Sequence, residues 1–311
     1  MSAKYHPGEI EVQERAGVRG MAERVGNGIR PVIPPAAREF LKEQPMVVVG
    51  SVGADGRVWA SLLACEPGFA RALDERTVII DAAPVPGDPL AENLAAGAGA
   101  TAVGVIAIDL ASRRRMRLNG KAERRPDGIR VRAEQVYANC PKYIQAREWE
   151  KVAHNPGAGR RNVRRAGTLT DEQRRRISRA DTFFVASAHP GHGADASHRG
   201  GQPGFVRFLD DDTLEFPDYS GNTMFNTLGN IAANPDAGLL FVDFERGGTL
   251  QLAGEAKVVW EPERAARFVG AERMVEFRVD EVDDALPLRW RFAGYSPFNP
   301  SLEGRRGEEA T

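Results

Sequence analysis

The chain alternates between short apolar runs and polar breaks, and most of the runs are of strand length. Met46 to Val52 is nearly all apolar and β-branched, which predicts a strand. Ala54-Asp55-Gly56 interrupts it, and Asp-Gly is a strong hairpin signal. Val58 to Ala64 returns as a second strand, and Thr77 to Ala82 reads as a third. Leu90 to Ala96 predicts a helix, Thr101 to Leu110 a strand, and Met116 to Glu123 the strand after it. Ile129 to Tyr137 is read as a helix with Glu134 and Gln135 outward. Upstream, Glu9 to Ala16 is a short helix candidate. Pro34 or Pro35 opens another through Phe40-Leu41-Lys42, since proline is tolerated in a first helical turn. Arg147 to Arg179 reads as helical and basic, with a capping box at Thr170 to Gln173. Later strands are predicted at Phe183–Ala188, Gly204–Leu209, Thr213–Phe216, Ala237–Phe244 and Thr249–Val259. A helix over Asn226–Ala233 ends at Asn234-Pro235, as a residue before proline favours.

This order occurs twice. Asp88 to Arg124 and Asn222 to Val259 each run through a helix, a small-residue break, an apolar strand, a polar turn and a second strand. Met46-Val47-Val48-Val49-Gly50-Ser51 likewise parallels Thr182-Phe183-Phe184-Val185-Ala186-Ser187. A repeat of this length exceeds solenoid units and indicates two domain-sized copies of one fold. Short strands with a single inserted helix favour small antiparallel barrels over a parallel sheet. The expected class is mainly β (α+β). The expected division is an arm over 1–39, a first barrel over 40–146, a basic helical linker over 147–180, a second barrel over 181–282 and a tail over 283–311, disordered from about Leu302.

Composition narrows the function classes. Hydrophobic residues are 42% and charged residues 27% of the 311, with a net charge of −1, so no global field favours nucleic acid or a membrane surface. Arginines crowd Arg160 to Arg179, but no aromatic residues interleave them, and the plain reading is a solvated helix face. Two cysteines supply neither a disulfide framework nor metal spacing, which suits a reducing compartment. No apolar run approaches the length of a membrane span, and the acidic start does not read as a secretory signal. The expected location is the cytoplasm.

The candidate chemistry is concentrated in the second copy. His189, His192 and His198 fall close together near Asp195, so a metal site is conceivable, but Gly, Pro and Ala around them favour a mobile loop. Ser197-His198-Arg199-Gly200-Gly201 offers a hydroxyl, an imidazole and a guanidinium beside glycines that admit a ligand. Pro217-Asp218-Tyr219-Ser220-Gly221-Asn222 places short polar side chains just before a helix, and helix N-termini favour phosphate. The two segments suit a phosphorylated, flat ligand; the second alone is equally a capped turn. No nucleophile elbow, Walker loop, HExxH or dinucleotide fingerprint is present.

The order of motifs resembles the pyridoxamine 5′-phosphate oxidase-like family of flavin-binding split barrels, in a two-copy subgroup. The resemblance rests on Leu214-Glu215-Phe216, Tyr219-Ser220-Gly221-Asn222, Asn226-Thr227-Leu228, Asn234-Pro235 and the strand Gly248 to Ala256, with HPGE at His6 and CPKYIQ at Cys140. It implies two tandem split β-barrels with flanking helices and an FMN site between them. The residues it implies for the cofactor are Ser197, His198, Arg199, Gly201, Phe205, Tyr219, Ser220, Asn222, Asn226, Thr227 and Gln251, with Lys142 and Tyr143 of copy one as the other wall. The family's phosphate-binding Arg and Lys are replaced by Asn226 and Thr227, and Arg199 and His198 are expected to supply the missing charge. Asp88 and Glu92 are aligned with Asn222 and Asn226, where carboxylates repel phosphate, so copy one is expected to have lost its site. The implied activity is FMN-dependent oxidoreduction with a small substrate or a nicotinamide donor, in a homodimer. The alternatives are a flavin carrier without turnover, or the same fold holding a deazaflavin coenzyme or heme. No catalytic residue is named; His198 and Tyr219 are the titratable candidates.

Overall fold

The computed structural model describes residues 4–96, 99–151, 160–286 and 290–297. The arm holds helices α1 (Pro7–Arg15) and α2 (Arg19–Gly26), and α3 (Pro35–Lys42) leads into the first copy. That copy comprises β1 (Met46–Val52), β2 (Val58–Ala64), β3 (Ala70–Ala72), β4 (Thr77–Ile80), α4 (Pro89–Ala96), β5 (Thr101–Asp109), β6 (Arg114–Arg125) and β7 (Gly128–Ala138). After it come β8 (Ala146–Lys151), β9 (Arg160–Ala166) and α5 (Asp171–Arg179). The second copy comprises β10 (Thr182–His189), β11 (Gly193–Gly200), β12 (Arg207–Phe208), β13 (Thr213–Tyr219), α6 (Asn226–Ala233), β14 (Asp236–Val242), β15 (Thr249–Val259), α7 (Pro262–Ala265) and β16 (Ala271–Leu286), and β17 (Trp290–Ser296) follows it.

The two sheets have one topology. The first runs β2-β1-β5-β6-β7-β4-β3 and the second β11-β10-β14-β15-β16-β13-β12, all antiparallel. Each is a split barrel, and the chain carries two in tandem. Strand register gives the correspondence residue by residue. Val49 faces Ser61 and Val105, as Val185 faces Ser197 and Leu239. Ser61 therefore corresponds to Ser197. One strand further, Ile106 faces Arg117 as Leu240 faces Gln251, so Arg117 corresponds to Gln251.

The apolar runs lack polar alternation because both faces of the central strands are buried. In β1, Val47 and Val49 enter the core of the first copy, while Met46 and Val48 enter a third core between the copies. In β10, Phe183 and Val185 fill the second copy's core, and Phe184 and Ala186 enter the seam. The copies meet backbone to backbone at two equivalent glycines. A Cβ on Gly104 would lie 2.4 Å from Asp195 Cα, and one on Gly238 would lie 2.6 Å from the Val58 carbonyl oxygen. Any larger residue would force the seam apart.

Five expectations need correction. Of the strand expected over Gly204–Leu209 only Arg207–Phe208 forms, as β12, because the Phe205 N–H closes a turn onto the Gln202 carbonyl. Residues 128–138 form strand β7, not a helix: Ile129, Val131 and Ala133 are buried while Arg130, Arg132 and Glu134 are exposed, a period of two. Among the described residues of the basic segment only Asp171–Arg179 is helical, with the expected capping box; β8 pairs with β17 and β9 with β16. The histidine-rich stretch is not a loop: Gly193–Gly200 is strand β11, hydrogen-bonded to β10. Residues from 283 are not simply a tail, since β16 continues to Leu286 and β17 follows; the segment expected to be disordered from about Leu302 lies outside the described residues. Among the described residues no helix is long and apolar enough to cross a membrane.

Candidate cofactor site

A cavity of about 370 Å³ lies in the seam, within the size range of small-molecule sites. Copy two builds one side from β11, the end of β13 and the start of α6. Ser197 and Thr227 hydroxyls hydrogen-bond at 2.8 Å and tie strand to helix. The loop before α6 is strained, with Thr223 at φ 62 and Phe225 at φ 59, a left-handed conformation that costs non-glycine residues of order 1–3 kcal/mol each. Tyr143, opposite, is also left-handed at φ 65 and stacks on Tyr219 with ring centroids 4.9 Å apart. Copy one supplies the far wall from β6. Arg115 and Arg117 are two apart and share a face, while Met116 and Leu118 point into the barrel core. The arm adds Ala16 and Val18.

The wall is cationic, but its cations are unequally neutralised. Arg199 donates to Asp218 at 2.8 Å, and Arg273 contacts the other oxygen of the same carboxylate at 3.2 Å. Arg117 is buried against Asp195; burial opposes its charge, but Asp195 and then Tyr137 hold its pKa above the ordinary value. Arg115 has no carboxylate partner among the described residues. It donates to His198 Nδ1 at 2.8 Å and to the Cys140 carbonyl at 2.8 Å. Burial, with Arg117 and Arg199 nearby, pushes its pKa down to about 10, so it stays charged at neutral pH. Because Arg115 can only donate, His198 Nδ1 must accept, and the ring proton sits on Nε2. That Nε2 is buried and has no protein partner. Burial, then Arg115 and Arg199, holds His198 well below its usual pKa, so the imidazole is neutral. The cavity is thus lined by an uncompensated guanidinium, a setting for an anion, while the unused His198 N–H is buried beside it.

The family profile described as pyridoxamine 5′-phosphate oxidase matches residues 33–163 and, a second time, residues 169–287. The chain belongs to the pyridoxamine 5′-phosphate oxidase family. No curated protein matches the sequence closely enough to count as a relative. Among solved structures, a putative pyridoxamine 5′-phosphate oxidase from Lactobacillus delbrueckii is 16% identical, covering 39% of this chain and 97% of its own, with a TM-score of 0.32. A protein titled F420 reductase is 15% identical, covering 38% and 98%, with a TM-score of 0.29. A FAD-binding protein from Mesorhizobium loti is 10% identical, covering 41% and 96%, with a TM-score of 0.27.

In this member of the pyridoxamine 5′-phosphate oxidase family, most of the residues singled out from sequence converge on the cavity. Ser197, His198, Arg199, Phe205, Tyr219, Ser220, Asn222, Asn226 and Thr227 line it from copy two, and Lys142 and Tyr143 from copy one. Two do not. Gly201 lies behind the wall, where a Cβ would strike the Phe205 ring at 2.5 Å. Gln251 faces the opposite cleft of the seam, donating to the Ala60 carbonyl at 2.9 Å, Ser61 Oγ at 3.1 Å and Asp88 Oδ2 at 3.3 Å. The histidine group is also divided: His189 and His192 cluster with His6, Asp195 sits at Arg117, and His198 stands apart in the cavity. Among the described residues no such group can hold a metal. The charge expected of His198 is absent because the ring is neutral, and Arg199 shares its charge with Asp218.

The alignment of Asp88 and Glu92 with Asn222 and Asn226 is off by about one helical turn. Asn93 Nδ2 donates to Ser51 Oγ at 2.9 Å, and Asn230 Nδ2 donates to Ser187 Oγ at 3.0 Å. Since Ser51 and Ser187 hold equivalent places, so do Asn93 and Asn230, and Glu92 matches Gly229. Sequence reasoning missed Arg115, Arg117 and Arg273 as site residues, and named Asp218 within its segment without its role as partner of Arg199 and Arg273. The signal for the first two was the alternation Arg115-Met116-Arg117-Leu118.

Proposed function

We propose that the chain is an FMN-dependent oxidoreductase with one flavin site, in the cavity between its copies. The observation that carries this is Arg115, a cation with no carboxylate partner among the described residues, on the cavity wall beside neutral His198. A guanidinium suits an ionised phosphate in charge and in fork geometry. Ser197, Thr227 and the backbone N–H groups opening α6 add neutral donors. Tyr143 and Tyr219 offer aromatic faces to a flat ring system. A bound flavin supplies the redox chemistry, and the protein supplies binding, orientation and exclusion of water. The family's phosphate-binding cations at α6 are replaced by Asn226 and Thr227, and Arg115 of the other copy takes over that charge. A small substrate or nicotinamide donor, a homodimer and a cytoplasmic location remain part of this reading.

A flavin carrier without turnover is the second reading. It is favoured by the pKa values in the cavity: His198 is held neutral, and burial, then Tyr143, pushes Tyr219 up to about 12. Neither group exchanges protons readily near pH 7. Reduction of the bound flavin by a nicotinamide donor, followed by stopped-flow, separates enzyme from carrier. The colour of the purified protein separates flavin from a deazaflavin coenzyme or heme. The test of the site itself is Arg115→Gln. Loss of a charge-assisted hydrogen bond costs about 1.5–3 kcal/mol, or roughly tenfold to hundredfold in FMN affinity. Unchanged FMN affinity in a fluorescence titration would sink the assignment.

A further inference from the structure

A second, larger cavity of about 1140 Å³ opens between the arm, copy one's β5 to β7 and the β10–β11 turn of copy two. It shares only Asn226 with the flavin cavity, and the Arg117–Asp195 pair stands in the partition. Its floor is buried and neutralised. Burial, then His189, pushes His6 down to about 4, so its ring is uncharged at neutral pH, and its Nε2 lies 2.9 Å from Asn230 Oδ1. Glu9 is held by the His6 backbone N–H and by Asn226 Nδ2.

The rim is different. Lys121 of β6 and Arg132 of β7 are direct cross-strand partners. Directly opposed residues share a face of the sheet, and like charges so placed destabilise it. Two pairs along, on the same face, the strands oppose Glu123 to Arg130, the ordinary arrangement. Arg76 stands beside Thr77, which pairs with Arg132 on the other side, and Arg30 bridges to β7 at Val136. All four basic side chains line the cavity, and none makes an ion pair among the described residues. The carboxylates of the lining are Glu9 and Asp195 on the buried floor, Asp236 at the far side, and Glu134 on β7. None of them closes on the four cations within ion-pair distance; outside the lining, Asp74 accepts from the Arg76 backbone N–H at 2.7 Å, and that bond, with Arg132 a lesser cause, lowers its pKa.

We propose that this rim is a binding site for a small polyanion, a diphosphate or polycarboxylate group, separate from the flavin cavity. A bound polyanion converts the Lys121–Arg132 repulsion into two charge-assisted contacts, with Arg76 and Arg30 as further donors. The test is calorimetric titration of the intact protein with pyrophosphate and with citrate at low ionic strength, where such contacts are least screened. The expected result is binding of at least one. Lys121→Gln and Arg132→Gln should each weaken it by roughly tenfold or more. The same substitutions should leave the ligand-free melting temperature unchanged or raised, because they remove a repulsion. Which anion binds distinguishes phosphate from carboxylate chemistry. Failure of both anions to bind at low millimolar concentration, equal binding by the variants, or displacement of the anion by FMN would overturn the proposal.

Discussion

The two clefts of the seam are built from equivalent residues and have opposite contents. On one side Arg117 of copy one reaches towards copy two, beside Arg115, and an open cavity remains. On the other side the equivalent residue is Gln251 of copy two, and it bonds the Ala60 carbonyl, Ser61 and Asp88 of copy one. Ser61 Oγ and Asp88 Oδ1 are 2.5 Å apart, and all three side chains are buried. Ser197, which corresponds to Ser61, instead bonds Thr227 and faces the cavity. The two clefts hold equivalent places; glutamine where the other cleft has arginine, with the Asp88 carboxylate at the helix start, knits one of them shut. The arm adds to the asymmetry. It packs α1 on α6, with Glu9 bonded to Asn226 and Gln13 Nε2 to the Met224 carbonyl.

The largest expected effect comes from breaking the charged partition. Asp195→Ala leaves Arg117 buried without its partner, which should cost about 3–5 kcal/mol of unfolding free energy by denaturant titration. In the closed cleft, Gln251→Ala removes neutral donors from the Asp88 carboxylate, and a loss of about 1–3 kcal/mol is expected. A Gln251→Ala cost as large as that of Asp195→Ala would contradict the contrast between the clefts.

A subtler effect is pH dependence at the arm. Burial, with Asp195 adding, raises Glu9 from 4.5 to about 7. The folded state then binds the extra proton, so this contribution is complete below pH 4.5 and lost as pH rises through about 7. His6, lowered from 6.5 to about 4, acts in the other direction: its contribution is complete above pH 6.5 and lost as pH falls towards 4. The two oppose each other between pH 4.5 and 6.5. Glu9→Gln should therefore expose a stability that rises with pH across that window. A flat profile in the variant would show that the His6 environment is not as buried as the packing implies.

Much of this was legible in the letters. β1, β2, β15 and α6 begin and end where their apolar runs, Asp-Gly turn and Asn-Pro stop predict. Residues 128–138 are legible as a strand too, since Ile129, Val131 and Ala133 alternate with Arg130, Arg132 and Glu134; the helix reading took the wrong period. The cavity's copy-two wall was legible because Ser197, Tyr219 and Thr227 sit in contiguous motifs. Arg115 was not, because its role depends on a strand from the other copy meeting β11, and no local pattern encodes that meeting. The exclusion of copy one rested on a misplaced register; what closes its cleft is Gln251, a residue 163 positions from Asp88.

The central claim is that one chain offers one open cleft. Its direct test is the ratio of flavin to protein after saturation with FMN and desalting, read from absorbance against a protein concentration fixed by amino-acid analysis. A ratio near one per chain is expected, whether the protein is a monomer or a homodimer. A ratio near two would show that the Gln251 cleft also admits the cofactor, and a ratio near zero would contradict the assignment of the cavity to FMN.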